Sequence, residues 1–314
     1  DKHYVGVAWY QKRVTVPDSW KGERVVLFLE RPHIETTVWI NRQEVGMQNS
    51  LCVPHVYDLT SYVTPGKSYL VTIRVDNRIK EINVGPDSHS ITDQTQGNWN
   101  GIVGKIELQS TPKVFFEDIQ IYPDLAGKKA LVCMNVRASS SVNGEITLSA
   151  KSFNTDVNHE IAPVYQTVTV RKGDNLFEME LPMGQDFLIW DEFSPALYRL
   201  TATLKNGKQI ETKQIQFGMR EFTINGKWFY INGRKTMLRG TVENCDFPLT
   251  GYAPMDVASW ERVFRICRSY GLNHMRFHSY CPPEAAFIAA DLVGFYLQPE
   301  GPSWPNHGPK LGNG

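Results

Sequence analysis

From residue 4 to about residue 220 the chain is made of short runs, many of them alternating apolar and polar, bounded by Gly, Pro, Asn or Asp. A period of two marks strands with one buried face. Segments 8–17, 24–30, 36–41 and 68–77 are therefore expected to be antiparallel strands, with turns at 41–46 and 65–67. Such strands bury their apolar faces by stacking two sheets into a β-sandwich. Residues 112–220 repeat the style at a different spacing, with strands expected at 114–122, 129–138, 144–151, 164–171, 176–181, 197–204 and 208–218. About seven short strands in about a hundred residues is the size of an immunoglobulin-like sandwich.

Near Thr236 the period changes. Short strands are expected at 236–241, 272–278 and 294–300, separated by helices at 256–270 and 283–293. In the first helix Val257, Trp260, Val263, Phe264, Cys267 and Tyr270 recur at steps of three and four and form one apolar face, and Gly271 stands where a C-terminal cap belongs. The second has Pro283 in its first turn, Phe287 and Leu292 on its face, and Gly294 as its stop. Strands alternating with helices imply a parallel sheet, here an incomplete (β/α)8 barrel. The fold class is multi-domain and mainly β, divided at 1–111, 112–221 and 222–314.

Charge and cysteine usage narrow the function. Thirty-three basic residues balance thirty-three acidic ones among 314, which leaves no electrostatic footprint for nucleic acid or an anionic membrane. No apolar run approaches the roughly eighteen residues that span a bilayer, and no signal-like segment opens the chain. The chain opens on Asp1 and not on Met, so any targeting segment is expected to have been lost or removed, and a periplasmic or secreted location is slightly favoured over a cytoplasmic one. The five cysteines are scattered without a CxxC pair, against a disulfide framework or a zinc site. They are read as free thiols, and neither a metal nor a cofactor is expected.

Several words in the chain then point to a family. Ala8-Trp9-Tyr10-Gln11 with Val16-Pro17, Thr37-Val38-Trp39-Ile40-Asn41 followed by Glu44-Val45-Gly46, and Tyr57-Asp58-Leu59-Thr60 followed by Val75-Asp76-Asn77 occur in order. Trp99-Asn100-Gly101-Ile102, Trp190 with 195–200, Phe217-Gly218-Met219-Arg220 and 229–240 continue the series. The series resembles family 2 of the glycoside hydrolases, the β-galactosidase and β-glucuronidase group, over nearly the whole chain. The resemblance implies a sugar-binding jelly roll, an immunoglobulin-like domain and the first three strands of a catalytic barrel. It also implies a carbohydrate substrate, retaining hydrolysis by an exo-acting β-glycosidase, and two catalytic glutamates on the fourth and seventh barrel strands, beyond Gly314. No catalytic residue is therefore assigned, and the fragment alone is expected to be inactive. Where the β-galactosidases read RHEDHP and VRTSHYP, this chain has Thr241-Val-Glu-Asn-Cys-Asp-Phe-Pro and Met275-Arg-Phe-His-Ser-Tyr-Cys-Pro, so galactose is not specified. A non-catalytic carbohydrate-binding or scaffold protein is the alternative, and the oligomeric state, homo-oligomer included, stays open.

In parallel barrels the chemistry sits at the C-terminal strand ends. Those ends carry Glu243 and Asn244, Arg276 and His278, and Glu300, with Trp304 following either as a platform for a sugar ring or as an exposed orphan of the rest of the barrel. Arg276 and His278 alternate along one strand and share a side, and right-handed crossovers bring all the ends to one edge. These six residues are the expected substrate-binding set. Glu300 has three readings: a catalytic carboxylate, a supporting acid of the pocket, or a structural acid. His33, Trp39 and Trp99 are read as core aromatics rather than lectin contacts, Asp93 and Asn100 as candidates to reach the barrel, and Cys245 as a packed thiol rather than a nucleophile.

Overall fold

The structure, a computed structural model, describes residues 4–78, 80 and 99–301. The first seven strands are β1 (Val7–Thr15), β2 (Arg24–His33), β3 (Glu35–Ile40), β4 (Gln43–Asn49), β5 (His55–Asp58), β6 (Ser68–Asp76) and β7 (Gly101–Thr111). They form two sheets, β1-β6-β3-β4 and β5-β2-β7. Alternate residues Val25, Leu27 and Leu29 of β2 face Val71, Ile73 and Val75 of β6 across one core, as the period of two requires. The β3–β4 turn is set by Asn41, which adopts φ 55° and accepts from the Leu70 amide at 3.0 Å. β4, β5 and β7 were not anticipated, and β4 has no fully buried residue to announce it.

The next seven strands are β8 (Val114–Asp124), β9 (Lys129–Ala138), β10 (Val142–Phe153), β11 (Glu160–Val170), β12 (Gly173–Pro182), β13 (Leu197–Asn206) and β14 (Gln209–Phe217). All seven expected strands are present, with ends moved by a few residues. Sheets β11-β10-β13-β14 and β12-β9-β8 close on Val132, Met134, Ile146, Leu148 and Leu200.

An antiparallel meander follows: β15 (Phe222–Asn225), β16 (Trp228–Ile231) and β17 (Arg234–Thr236). Thr236 therefore ends this meander and does not begin the barrel. The β-α-β-α-β unit starts later, with β18 (Gly240–Glu243), α1 (Val257–Ser269), β19 (His274–Phe277), α2 (Glu284–Val293) and β20 (Tyr296–Pro299). Its strands pair in parallel in the order β18-β19-β20. Gly240 permits the closeness of β18 to β19, because a Cβ there would stand 2.3 Å from His274 Nδ1.

Asp256 caps α1 by accepting from the Ser259 amide at 2.8 Å. Trp260 and Phe264 are fully buried and stack on each other, with Phe264 also stacked on Phe295. Tyr270, expected on this face, is 82% exposed, because it forms the C-cap where the chain leaves the core. In α2 the buried face is Ala285, Ala286, Ala289, Ala290 and Val293, whereas Phe287 lies outside it.

The second sandwich grips the base of this unit. Buried Glu192 accepts from Asn273 Nδ2 at 3.1 Å and from Arg239 at 3.2 Å, and its own carbonyl accepts from Arg268 at 2.6 Å. Trp190 donates its indole N–H to the Asp291 carbonyl at 2.8 Å.

Candidate functional site

The C-terminal ends of β18, β19 and β20 share one edge of the parallel sheet. Register decides which side each residue takes. Val242, Arg276 and Gln298 align across the three strands, and Glu243, Phe277 and Pro299 align one step later. Phe277 is buried against the helices, so Arg276 takes the opposite side.

On that side Arg276 Nε donates to Glu300 Oε1 at 2.5 Å, and the Ser279 amide donates to Glu300 Oε2 at 2.8 Å. Ser279 adopts φ 61° in the turn that delivers this amide. The Arg276 hydrogen bond, with further help from Ser279 and the nearby His278, holds the Glu300 carboxyl below the usual glutamate range. An acid held ionised is a poor proton donor near neutrality, so Glu300 suits a role as a fixed hydrogen-bond acceptor. His278 joins the strands through its amide, which donates to the Glu243 carbonyl at 2.9 Å.

Glu243 does not join this group. It aligns with Phe277, accepts from the amides of Cys245 and Asp246, and leaves Oε2 buried with no hydrogen-bond partner among the described residues. Burial pushes its carboxyl up to about 7. Asn244 is exposed at the strand end, and Trp304 and Asp93 lie outside the described residues. Arg276, His278 and Glu300 are thus brought together, Asn244 lies at the same edge, and Glu243 turns to the other face.

Sequence reasoning missed the contribution of the first sandwich. Arg31 is 4% exposed, donates to the Cys281 carbonyl in the turn after β19, and lies 5.0 Å from the Trp99 ring centroid. Trp99 returns an indole hydrogen bond to the Arg31 carbonyl at 3.1 Å, and His33 packs edge-on against the same ring. Nothing in the spacing of Arg31 signals this contact, which joins residues 250 apart. Trp99 and His33 are buried, as expected of core aromatics. Asn100 instead accepts from Asn77 within its own sandwich. Burial raises the Cys245 thiol to about 12, which removes it as a nucleophile. No group of His, Cys, Asp and Glu among the described residues is placed to hold a metal.

Two family profiles match the chain. Glycosyl hydrolases family 2, sugar binding domain, covers residues 2–112, and glycosyl hydrolases family 2 covers residues 114–220. The chain belongs to glycosyl hydrolase family 2. Its relatives in the family include a β-glucuronidase from Paenibacillus borealis, 24% identical over 96% of this chain and 51% of the relative. A β-galactosidase from Thermoanaerobacter pseudethanolicus is 25% identical over 98% of this chain and 41% of its own length. Bacteroides uniformis β-glucuronidase 2, solved covalently bound to cyclophellitol-6-carboxylate aziridine, superimposes with a TM-score of 0.80 at 21% identity, covering 96% of this chain and 37% of that one. The chain thus spans about half or less of the length of these relatives and is a fragment on their scale.

Proposed function

We propose that the chain is the N-terminal portion of a retaining exo-β-glycosidase that removes terminal sugars from oligosaccharides or glycoconjugates. In this reading residues 1–111 are the sugar-binding jelly roll, 112–221 the immunoglobulin-like sandwich and 222–314 a short antiparallel meander followed by the opening of the barrel. The observation that carries the proposal is the Arg276–Glu300 pair, locked by the Ser279 amide at the C-terminal edge of three parallel strands. A carboxylate anchored in this way accepts from a sugar hydroxyl without moving, and the remaining Arg276 donors grip a second oxygen or a neighbouring carboxylate. His278 and Asn244 border the same edge. Glu243, whose carboxyl burial pushes up to about 7, stands behind them as a proton-holding group beside the Cys245 turn. Trp304 completes the substrate-binding set.

Double displacement needs an acid/base and a nucleophile about 5 Å apart, and the proposal assigns both to the part of the enzyme that follows this chain. The relatives support the class of chemistry: they include a β-glucuronidase and a β-galactosidase, and the similar Bacteroides uniformis β-glucuronidase 2 was solved covalently bound to cyclophellitol-6-carboxylate aziridine. The test is a panel of nitrophenyl β-glycosides, including the glucuronide and galactoside, given to the longer polypeptide and to the 314-residue chain. Turnover by the longer protein with burst kinetics, and none by the shorter, is the expected result. Sustained turnover by the purified 314-residue chain that disappears on Glu300→Gln would place the chemistry inside it instead.

A further inference from the structure

The two sandwiches meet over a cavity of about 570 Å³, lined by Glu23 and Asp58 from the first and by Lys113, Phe115, Ser139 and Lys172 from the second. Two other cations at its wall are already matched. Arg24 pairs with Asp58 at 2.8 Å and covers the Phe115 ring, and Arg137 lies between Asp174 at 2.7 Å and Glu117 at 2.9 Å. Lys113 and Lys172 have no carboxylate within ion-pair reach among the described residues, and the Ser139 side chain is exposed. The turn opposite stays clear, because a Cβ at Gly173 would meet nothing within 4 Å.

We propose that this cavity binds an acidic saccharide, a sugar carrying one carboxylate. The carboxylate lies between the Lys113 and Lys172 ammonium groups. Ring hydroxyls donate to Asp58 and Glu23 and accept from Ser139. The charge balance selects the class. With Arg24 and Arg137 each matched by a carboxylate, Lys113 and Lys172 face Glu23 alone at the wall, and the one positive charge left over suits a single carboxylate better than a polyanion. A volume between 300 and 1,000 Å³ with a few convergent polar groups is the range of small-ligand sites. The proposal shares with the glycosidase reading only the premise that saccharides are the ligands. No residue after 173 lines the cavity, so either can fail without the other.

The experiment is a titration of the whole chain, followed by amide NMR shifts, with methyl β-glucuronide, methyl β-glucoside and sodium sulfate as separate probes. The glucuronide is expected to give saturable shifts at Lys113, Ser139 and Lys172, and to bind more weakly as salt is raised. The paired variant Lys113→Glu with Lys172→Glu should weaken it about tenfold, which is 1.4 kcal/mol. Ser139→Trp, which fills the mouth from an exposed position, should weaken the glucuronide without altering the spectrum elsewhere. It serves if the lysine variant is misfolded. Equal binding of the glucoside, sulfate alone reproducing the shifts with the same affinity, or glucuronide affinity unchanged in a folded variant would each overturn the proposal.

Discussion

Replacing Glu243 with glutamine removes a titration that the fold opposes. The folded carboxyl stands at about 7, against 4.5 for an unperturbed one. A folded-state value above the unfolded one means that, between the two, the folded chain keeps a proton that the unfolded chain has released. The associated stability is complete below pH 4.5 and is lost as pH rises through 7. At 1.36 kcal/mol per pH unit the gap is worth about 3 kcal/mol, and partial contact of the side chain with solvent trims it to about 2. Glutamine keeps the carbonyl oxygen that accepts from Cys245 and Asp246, and cannot ionise. Glu243→Gln should therefore match the wild-type chain at pH 4.5 and exceed it locally by about 2 kcal/mol at pH 8. Hydrogen exchange of peptides covering residues 240–250, corrected for intrinsic rates and referenced to β9 in the second sandwich, reads the difference without requiring a single unfolding step. Parallel pH profiles for the two proteins would refute the reasoning, since they would mean that burial does not tax the Glu243 charge.

Arg276→Ala in the longer enzyme should lower kcat/KM by the equivalent of about 2 to 4 kcal/mol, with a smaller effect on urea unfolding. Equal losses in the two measurements would reduce the residue to a structural role. Asp256→Ala should cost about 1 kcal/mol in the stability of α1 by removing the acceptor for the Ser259 amide, measurable as faster exchange at the start of that helix. Ala289→Leu should cost about 1 to 3 kcal/mol by overfilling the buried face of α2, and Phe287→Ser, at a side chain 36% exposed, should cost about 1 to 2 kcal/mol through lost apolar burial in the same denaturation assay.

The strands of the second sandwich were legible because nearly every one buries alternate residues, as in the run Ala130, Val132, Met134 and Val136. Helix α1 was legible through Trp260 and Phe264, large side chains one turn apart. Helix α2 is harder to read because its buried face is mostly alanine, which scarcely registers as hydrophobic, while of the two large residues expected on it Phe287 lies outside and Leu292 is only partly buried, against the Trp190 cluster. The meander β15–β17 did have a local signal. Asn225-Gly226 and Asn232-Gly233 are hairpin dipeptides, and Asn232 and Gly233 adopt φ 51° and 73°. The site was legible as an edge but not as a set of directions. Parallel pairing sets Glu243 beside Phe277 and Val242 beside Arg276, and a register of one residue decides which face a side chain takes. The Arg31 contact with Cys281 belongs to tertiary structure alone.

The grip of Glu192 on Asn273 and Arg239 has a consequence for biosynthesis. A chain leaves the ribosome from its N-terminus, and domains fold largely as they emerge. Trp190, whose amide donates to the Met219 carbonyl at 2.9 Å, and Glu192 beside it belong to a sandwich that is complete in sequence before residue 273 has been synthesised. The nascent β18 and β19 meet a fixed acceptor on a fixed frame, so the sandwich acts as a jig that sets the height and spacing of the first barrel strands. The strands that follow would then be added to a sheet edge already in position.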